Sequence, residues 1–186
     1  MTCIVAKKDK SGNIWMGGDS AGSAGTTFTT LRNPKVFIIK NKFIIGTTGK
    51  PRVAQLLQFK LNPPAQKKTQ SDYEYMCVDF VDAVRKCLFA GGGAYKNNEL
   101  EGVEGSFLVG YRRNTYEVES NFQIIQRIQD YDAVGCGEQF ALGALANMPS
   151  DQNSDTCIEQ ALRTASMFSP QVQAPFHIIK LKAGKK

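Results

Sequence analysis

In the first third of the chain, apolar and polar positions alternate with a period of two. "TCIVAKK" and "NIWMGGD" carry this alternation on either side of "DKSGN", which predicts a β-hairpin. "KVFIIKN" and "KFIIGTT" predict a second pair of strands, joined tightly around Asn41. Between the two pairs lies "SAGSAGTTFTTLRNP", a Gly/Ser/Thr stretch that reads as a loop or an irregular strand.

The period then lengthens. Pro51 suits the first turn of a helix carrying Val53, Leu56 and Leu57, and Asn62, Pro63 and Pro64 end it. "PAQKKTQ" reads as a polar loop, after which Ser71 and Glu74 form a capping box. Met76, Cys77, Phe80, Val81, Val84 and Leu88 follow on one helical stripe, stopped by the glycines at 91–93. Strands return in "SFLVGYR", "TYEVES", "FQIIQRI" and "YDAVG". A helix from Glu138 to Met148 is expected to turn Phe140, Ala141, Ala144 and Leu145 inward. Another is expected to start at a capping box formed by Thr156 and Glu159, burying Ile158, Ala161, Leu162 and Ala165. "FHIIKL" closes the series as a strand.

Strands, two helices, strands, two helices and a strand indicate an α+β fold rather than alternating β-α-β units. Each sheet needs one face on the other sheet and one face under helices, so a four-layer αββα sandwich is expected. No internal repeat or linker divides the chain, which reads as one domain over 1–186.

Composition narrows the function. Hydrophobic residues make up 42% and charged residues 22%, as in a globular protein. The formal net charge of +6 is spread out apart from the tail "KLKAGKK" and lacks aromatic interleaving, so no nucleic-acid partner is expected. Cys3, Cys77, Cys87, Cys136 and Cys157 are odd in number and contain no CxxC, which suits free thiols in a reducing compartment. No apolar run has the length of a membrane span and no signal-peptide pattern opens the sequence. A soluble, cytoplasmic protein without a membrane partner is expected. His177 is the single histidine, which disfavours both a structural zinc site and a serine–histidine–aspartate triad. No metal or cofactor is expected.

The chemistry points to Thr2, which follows Met1 and runs straight into the first predicted strand. A threonine hydroxyl is a weak nucleophile until a base takes its proton. When threonine is the first residue, its own α-amine can be that base. The amine titrates at about 7.7–8.0 when unperturbed. A nearby lysine charge lowers this value and favours the neutral, basic form. No histidine is needed. Met1 has to be removed, because an amide nitrogen cannot act as this base. Cys3 as nucleophile requires a different processing site and is set aside.

"TCIVAKK…GNIWMGGDS", "NPKVFIIKNKFIIGTTG" and "DAVGCGEQFALGALANM" together resemble the proteasome β-type family. HslV is the relative nearest in style, since no long propeptide is expected here. The resemblance covers nearly the whole chain. It implies an N-terminal-nucleophile hydrolase that cuts peptide bonds, with Thr2 as nucleophile. It further implies that Lys35 lies beside the hydroxyl, that Asp19 orients Lys35, and that the N–H of Gly49 stabilises the oxyanion. Its implied partners are peptide or unfolded-protein substrates, further copies of the chain in a ring, and an ATP-dependent unfoldase.

Two positions depart from the family pattern. Cys136 stands where a serine is usual, between Gly135 and Gly137; the thiol is the weaker donor and acceptor. Ser169 matches a family serine, but Ser166 replaces the aspartate expected three residues earlier. Taken singly, Asp19 also suits a turn, Lys35 an exposed surface, Gly49 a strand-to-helix turn and Cys136 a small buried thiol. "GCGEQF" faintly resembles a phosphate loop but has Phe140 in place of its third glycine. Two alternatives to the peptidase stand beside it: an inactive structural or assembly member of the same fold, and an amidase acting on a small amide.

Overall fold

The computed structural model describes residues 2–24, 27–149 and 151–184. The first strands are β1 (Cys3–Lys8), β2 (Ile14–Gly18), β3 (Ala21–Ala24), β4 (Thr27–Thr30), β5 (Val36–Ile39) and β6 (Phe43–Thr47). Helix α1 (Pro51–Phe59) follows, then α2 (Asp72–Tyr75), which runs through a π-helical stretch (Met76–Phe80) into α3 (Val81–Gly91). Next come β7 (Ala94–Asn97), β8 (Leu100–Val103), β9 (Phe107–Tyr111), β10 (Asn114–Val118), β11 (Ile124–Ile125) and β12 (Tyr131–Gly135). Helices α4 (Glu138–Ala146) and α5 (Ser154–Phe168) and strand β13 (His177–Leu181) complete the order.

Two antiparallel sheets form the centre, one ordered β12-β1-β2-β13 and the other β11-β10-β9-β6-β5. Ile4, Ile14 and Met16 of the first face Val36, Ile44 and Leu108 of the second in one buried cluster. The outer face of the second sheet packs under α1 and the α2–α3 helix through Leu56, Leu57, Phe80, Val84 and Leu88. The outer face of the first packs under α4 and α5 through Ala141, Leu145, Ile158, Ala161 and Leu162. The result is the expected four-layer αββα sandwich. Burying each large aliphatic or aromatic side chain contributes about 1.5–3 kcal/mol, so these three apolar layers dominate what holds the sheets face to face.

Local chemistry sets the two predicted hairpins. Asp9 Oδ1 accepts from the N–H of Ser11 and of Asn13, each at 2.9 Å, and closes the β1–β2 turn. Lys40 and Asn41 both have positive φ, 51° and 52°, the pair a type I′ turn requires between β5 and β6. In the long helix, Ser71 Oγ accepts from Glu74 N–H at 3.1 Å, as the capping box predicts. Gly92, at φ 70°, ends it in the left-handed region.

Three expectations are corrected. The Gly/Ser/Thr stretch after β2 contains the β3–β4 hairpin, because its threonines suit extended backbone and its small residues allow strand pairing. Helix α5 begins at Ser154 with Asn153 as its N-cap, so Thr156 and Glu159 lie within the helix and do not cap it. The buried Cys157 explains the earlier start: packing extends the helix by a turn. Phe140 is not inward but 38% exposed, stacked on Phe168 with ring centroids 5.3 Å apart at the solvent edge of α4 and α5. Cys77 lies on the expected stripe, half-buried against the core. The β7–β8 hairpin lacks clear alternation and was not anticipated from sequence. No helix among the described residues is long and apolar enough to cross a membrane.

Candidate active site

Thr2 immediately precedes β1 and is 3% exposed. Strand pairing fixes its position: Cys3 lies opposite Gly135 of β12, and Ile4 opposite Gly18 of β2. Asp19 follows β2 and is fully buried. Its Oδ1 accepts from Cys3 N–H at 2.9 Å and its Oδ2 from Ala21 N–H at 2.8 Å. The carboxylate therefore ties the start of β1 to the turn into β3.

Lys35 enters from the other sheet, just ahead of β5. Its carbonyl accepts from Thr47 N–H at 3.0 Å, which anchors its backbone to the end of β6. Lys35 Nζ lies 2.9 and 3.0 Å from the two Asp19 oxygens and donates to Thr2 Oγ1 at 3.0 Å. Asp19 thus receives two backbone donors and an ammonium. That partnership offsets the cost of burying its charge. The same ammonium holds a positive charge against the Thr2 hydroxyl.

Gly49 sits between β6 and α1 with φ 76°, and a Cβ there would collide with the Glu104 carbonyl. Only glycine fits that close approach. The neighbouring Thr48 is locked to Ser106: Thr48 N–H donates to Ser106 O at 3.1 Å, and Ser106 N–H donates to Thr48 Oγ1 at 3.1 Å. Among the described residues the N–H of Gly49 makes no hydrogen bond. Gly49 and Thr2 line one cleft of about 510 Å³, whose wall runs along α1.

The β12–α4 turn closes over the Thr2 backbone. A Cβ at Gly135, where φ is 102°, would strike the Thr2 carbonyl, and one at Gly137 would press on Cys3. Between them Cys136 is exposed, against the small buried thiol that "GCG" also suits. Its Sγ accepts from Thr2 N at 3.3 Å and donates to Thr2 O at 3.4 Å. Ser169, buried at the end of α5, donates from Oγ to Cys136 Sγ at 3.6 Å. Ser166 stays outside this set, its hydroxyl donating to Arg163 O at 2.7 Å.

All six predicted residues, Thr2, Asp19, Lys35, Gly49, Cys136 and Ser169, therefore gather at one end of the sandwich. Met1, whose removal the chemistry requires, lies outside the described residues. Cys3 is an unfit nucleophile: burial first, then the Asp19 charge, pushes its thiol pKa well up. His177 pairs with Gly18 in the sheet and does not line the cleft. Two features went unread in the sequence. One is the Thr48–Ser106 lock, which crosses between distant segments. The other is the set of basic residues beside the cleft, Arg32, Lys50, Arg52 and Lys60, which flank the Lys35 and Gly49 motifs.

No family model and no curated protein matches the sequence. Solved structures do. The BPH of Thiobacillus denitrificans in complex with epoxomicin matches with a TM-score of 0.77 at 18% identity, covering 100% of both chains. HslV from Trypanosoma brucei matches with a TM-score of 0.69 at 17% identity, over 97% of this chain and 99% of that one. Anbu, the ancestral β-subunit from Yersinia bercovieri, matches with a TM-score of 0.66 at 15% identity, over 97% and 82%. Together with the αββα layering, these matches show that the chain has the proteasome-like N-terminal-nucleophile fold.

Proposed function

We propose that this chain is an N-terminal-threonine peptidase subunit of a proteasome- or HslV-like homo-oligomeric ring. The observation that carries the reading is the short contact of Lys35 Nζ with Thr2 Oγ1, 3.0 Å, while Asp19 holds the same ammonium from both oxygens. The carbonyl carbon of a peptide bond enters the cleft beside Thr2 Oγ1. As the new C–O bond forms, the hydroxyl proton passes to the α-amine freed by loss of Met1. The oxyanion faces the N–H of Gly49, a contact of a kind worth about 2.7–4 kcal/mol in the transition state. The C–N bond breaks, the leaving amine takes the proton, and an ester on Thr2 remains. Water then hydrolyses the ester and restores Thr2. The ring confines the substrate, and an ATP-dependent unfoldase delivers it.

A second reading, an assembly member without activity, is favoured by the sulfur contacts at the terminus. A thiol at 3.3 Å from Thr2 N relays a proton less well than a hydroxyl. Substitution decides between them. Thr2→Ala is expected to abolish peptide cleavage while leaving the circular-dichroism spectrum and assembly mass unchanged. Epoxomicin, found bound to the Thiobacillus BPH, is expected to add its mass to the wild-type peptide containing Thr2 but not to the variant. Unchanged turnover in Thr2→Ala contradicts the peptidase, and no turnover in wild type with Met1 removed supports the assembly member.

A further inference from the structure

The cleft beside Thr2 carries charge of one sign. The charged residues lining it are Arg32, Lys35, Lys50, Arg52 and Lys60, and no described lining residue is acidic. These cations are not equally available. Lys35 is engaged by Asp19. Lys50 pairs with Glu104 at 3.1 Å, but both side chains are more than half exposed, at 62% and 58%, so solvent screens the pair. Arg52 gives its Nε to the Gly91 carbonyl at 3.1 Å, a neutral acceptor that leaves the guanidinium charge uncompensated. Arg32 and Lys60 have no ion-pair partner among the described residues. The wall between them is partly apolar, with Phe59 76% exposed at its rim.

We propose that this cleft selects acidic peptide segments: substrates bearing Asp or Glu beside the scissile bond, with Arg32, Arg52 and Lys60 supplying the selectivity. A concave wall carrying a single sign of charge concentrates its field on whatever enters and repels like charge. A carboxylate side chain gains charge-assisted hydrogen bonds from guanidinium and ammonium groups, whereas a lysine or arginine there meets uncompensated cations. The extended backbone around an acidic side chain still finds the apolar wall at Phe59. For cleavage the proposal rests on the peptidase reading. For binding it does not.

The test separates the two. Two fluorescein-labelled peptides differing only by Glu or Gln at one position are titrated into the full-length Thr2→Ala protein by anisotropy. They are also offered to wild type, with products located by mass spectrometry. The Glu peptide is expected to bind about fivefold more tightly at low ionic strength. The advantage is expected to shrink toward unity at about 0.5 M salt, where screening is strong. Arg32→Gln combined with Lys60→Gln, which leaves Arg52, is expected to bring the ratio below about twofold, while a charge-matched control, Lys67→Gln with Lys68→Gln, keeps it. Equal affinities, no binding by either peptide, or a ratio that falls equally in the control overturn the proposal. Acid-selective binding with neither peptide cut by wild type contradicts the peptidase but upholds the selectivity. Cleavage of both at equal kcat/KM upholds the peptidase and overturns the selectivity.

Discussion

Lys35 carries two functions in one ammonium: it neutralises a fully buried Asp19 and it donates to the Thr2 hydroxyl. Removing it leaves Asp19 buried with its two backbone donors alone, which costs about 3–5 kcal/mol by the usual penalty for a broken buried pair. On the proposed function, Lys35 variants therefore mix loss of chemistry with loss of stability. Cys136 is the cleaner probe. Replacing its weak sulfur contacts at 3.3 and 3.4 Å by hydroxyl hydrogen bonds is expected to make Cys136→Ser turn over peptide about five times faster. Single-turnover rates on one fluorogenic peptide check this, and a rate at or below wild type contradicts it. Gly49→Ala and Gly143→Ala give a paired stability test. An alanine at Gly49 meets the Glu104 carbonyl at φ 76°, whereas one at Gly143 meets open space within α4. The first is expected to lower stability by about 1–3 kcal/mol. The second is expected to raise it by about 0.5–1 kcal/mol, and urea titration measures both. Thr2 was legible from the chemistry of a leading threonine, and Asp19, Lys35 and Gly49 from the resemblance of their motifs to the proteasome β-type family, since each taken singly also suits an ordinary turn or surface. Ser106 was not, because its partner Thr48 is distant in sequence and nothing local marks the contact.

At the scale of elements, one arginine joins three segments near the site. Arg127, in the connection after β11, reaches Asp132 of β12 at 2.6 Å, Glu117 of β10 at 3.1 Å and Glu138 of α4 at 3.6 Å. Burial raises the Asp132 pKa to about 6, with Arg127 opposing the shift. A carboxyl whose folded pKa lies above its unfolded value contributes most to stability in acid, and that contribution is lost as pH rises through the folded pKa, here about 6. In Arg127→Gln the opposing cation is gone. The loss is expected to be about 1–3 kcal/mol at pH near 8 and distinctly smaller near pH 5, where Asp132 holds a proton. Urea midpoints at the two pH values check this, and an equal loss at both contradicts it. The segment after β2 shows why elements were harder to read than sites. Its Thr-rich half forms β4 with all four residues exposed, so no apolar face announced the strand. The short β7 was hidden likewise, being largely exposed, and β8 buries only Gly102 and Val103 at its end. The buried strands of the two main sheets were legible because apolar residues recur along them between clear turn signals.

For the whole molecule, the four layers explain how the stretch around Thr2 is held in place. Sheet pairing on both sides of β1, the Asp19 bridge and the β12–α4 turn fix the position of Thr2. The layering was legible from the order of strand and helix runs, while the orientation of Phe140 was not, because packing between α4 and α5 decided it. Ring assembly is expected on the proposed function, and mass photometry of wild type and Thr2→Ala should give the same multiple of the 20.5 kDa chain. A monomer in both contradicts the ring. On the proposed function a liberated Thr2 amine activates the Thr2 hydroxyl, and the N-terminal mass of the material that turns over peptide tests this. Active chains are expected to begin at Thr2 with a free amine. Peptide cleavage by chains that still carry a residue ahead of Thr2 would contradict it.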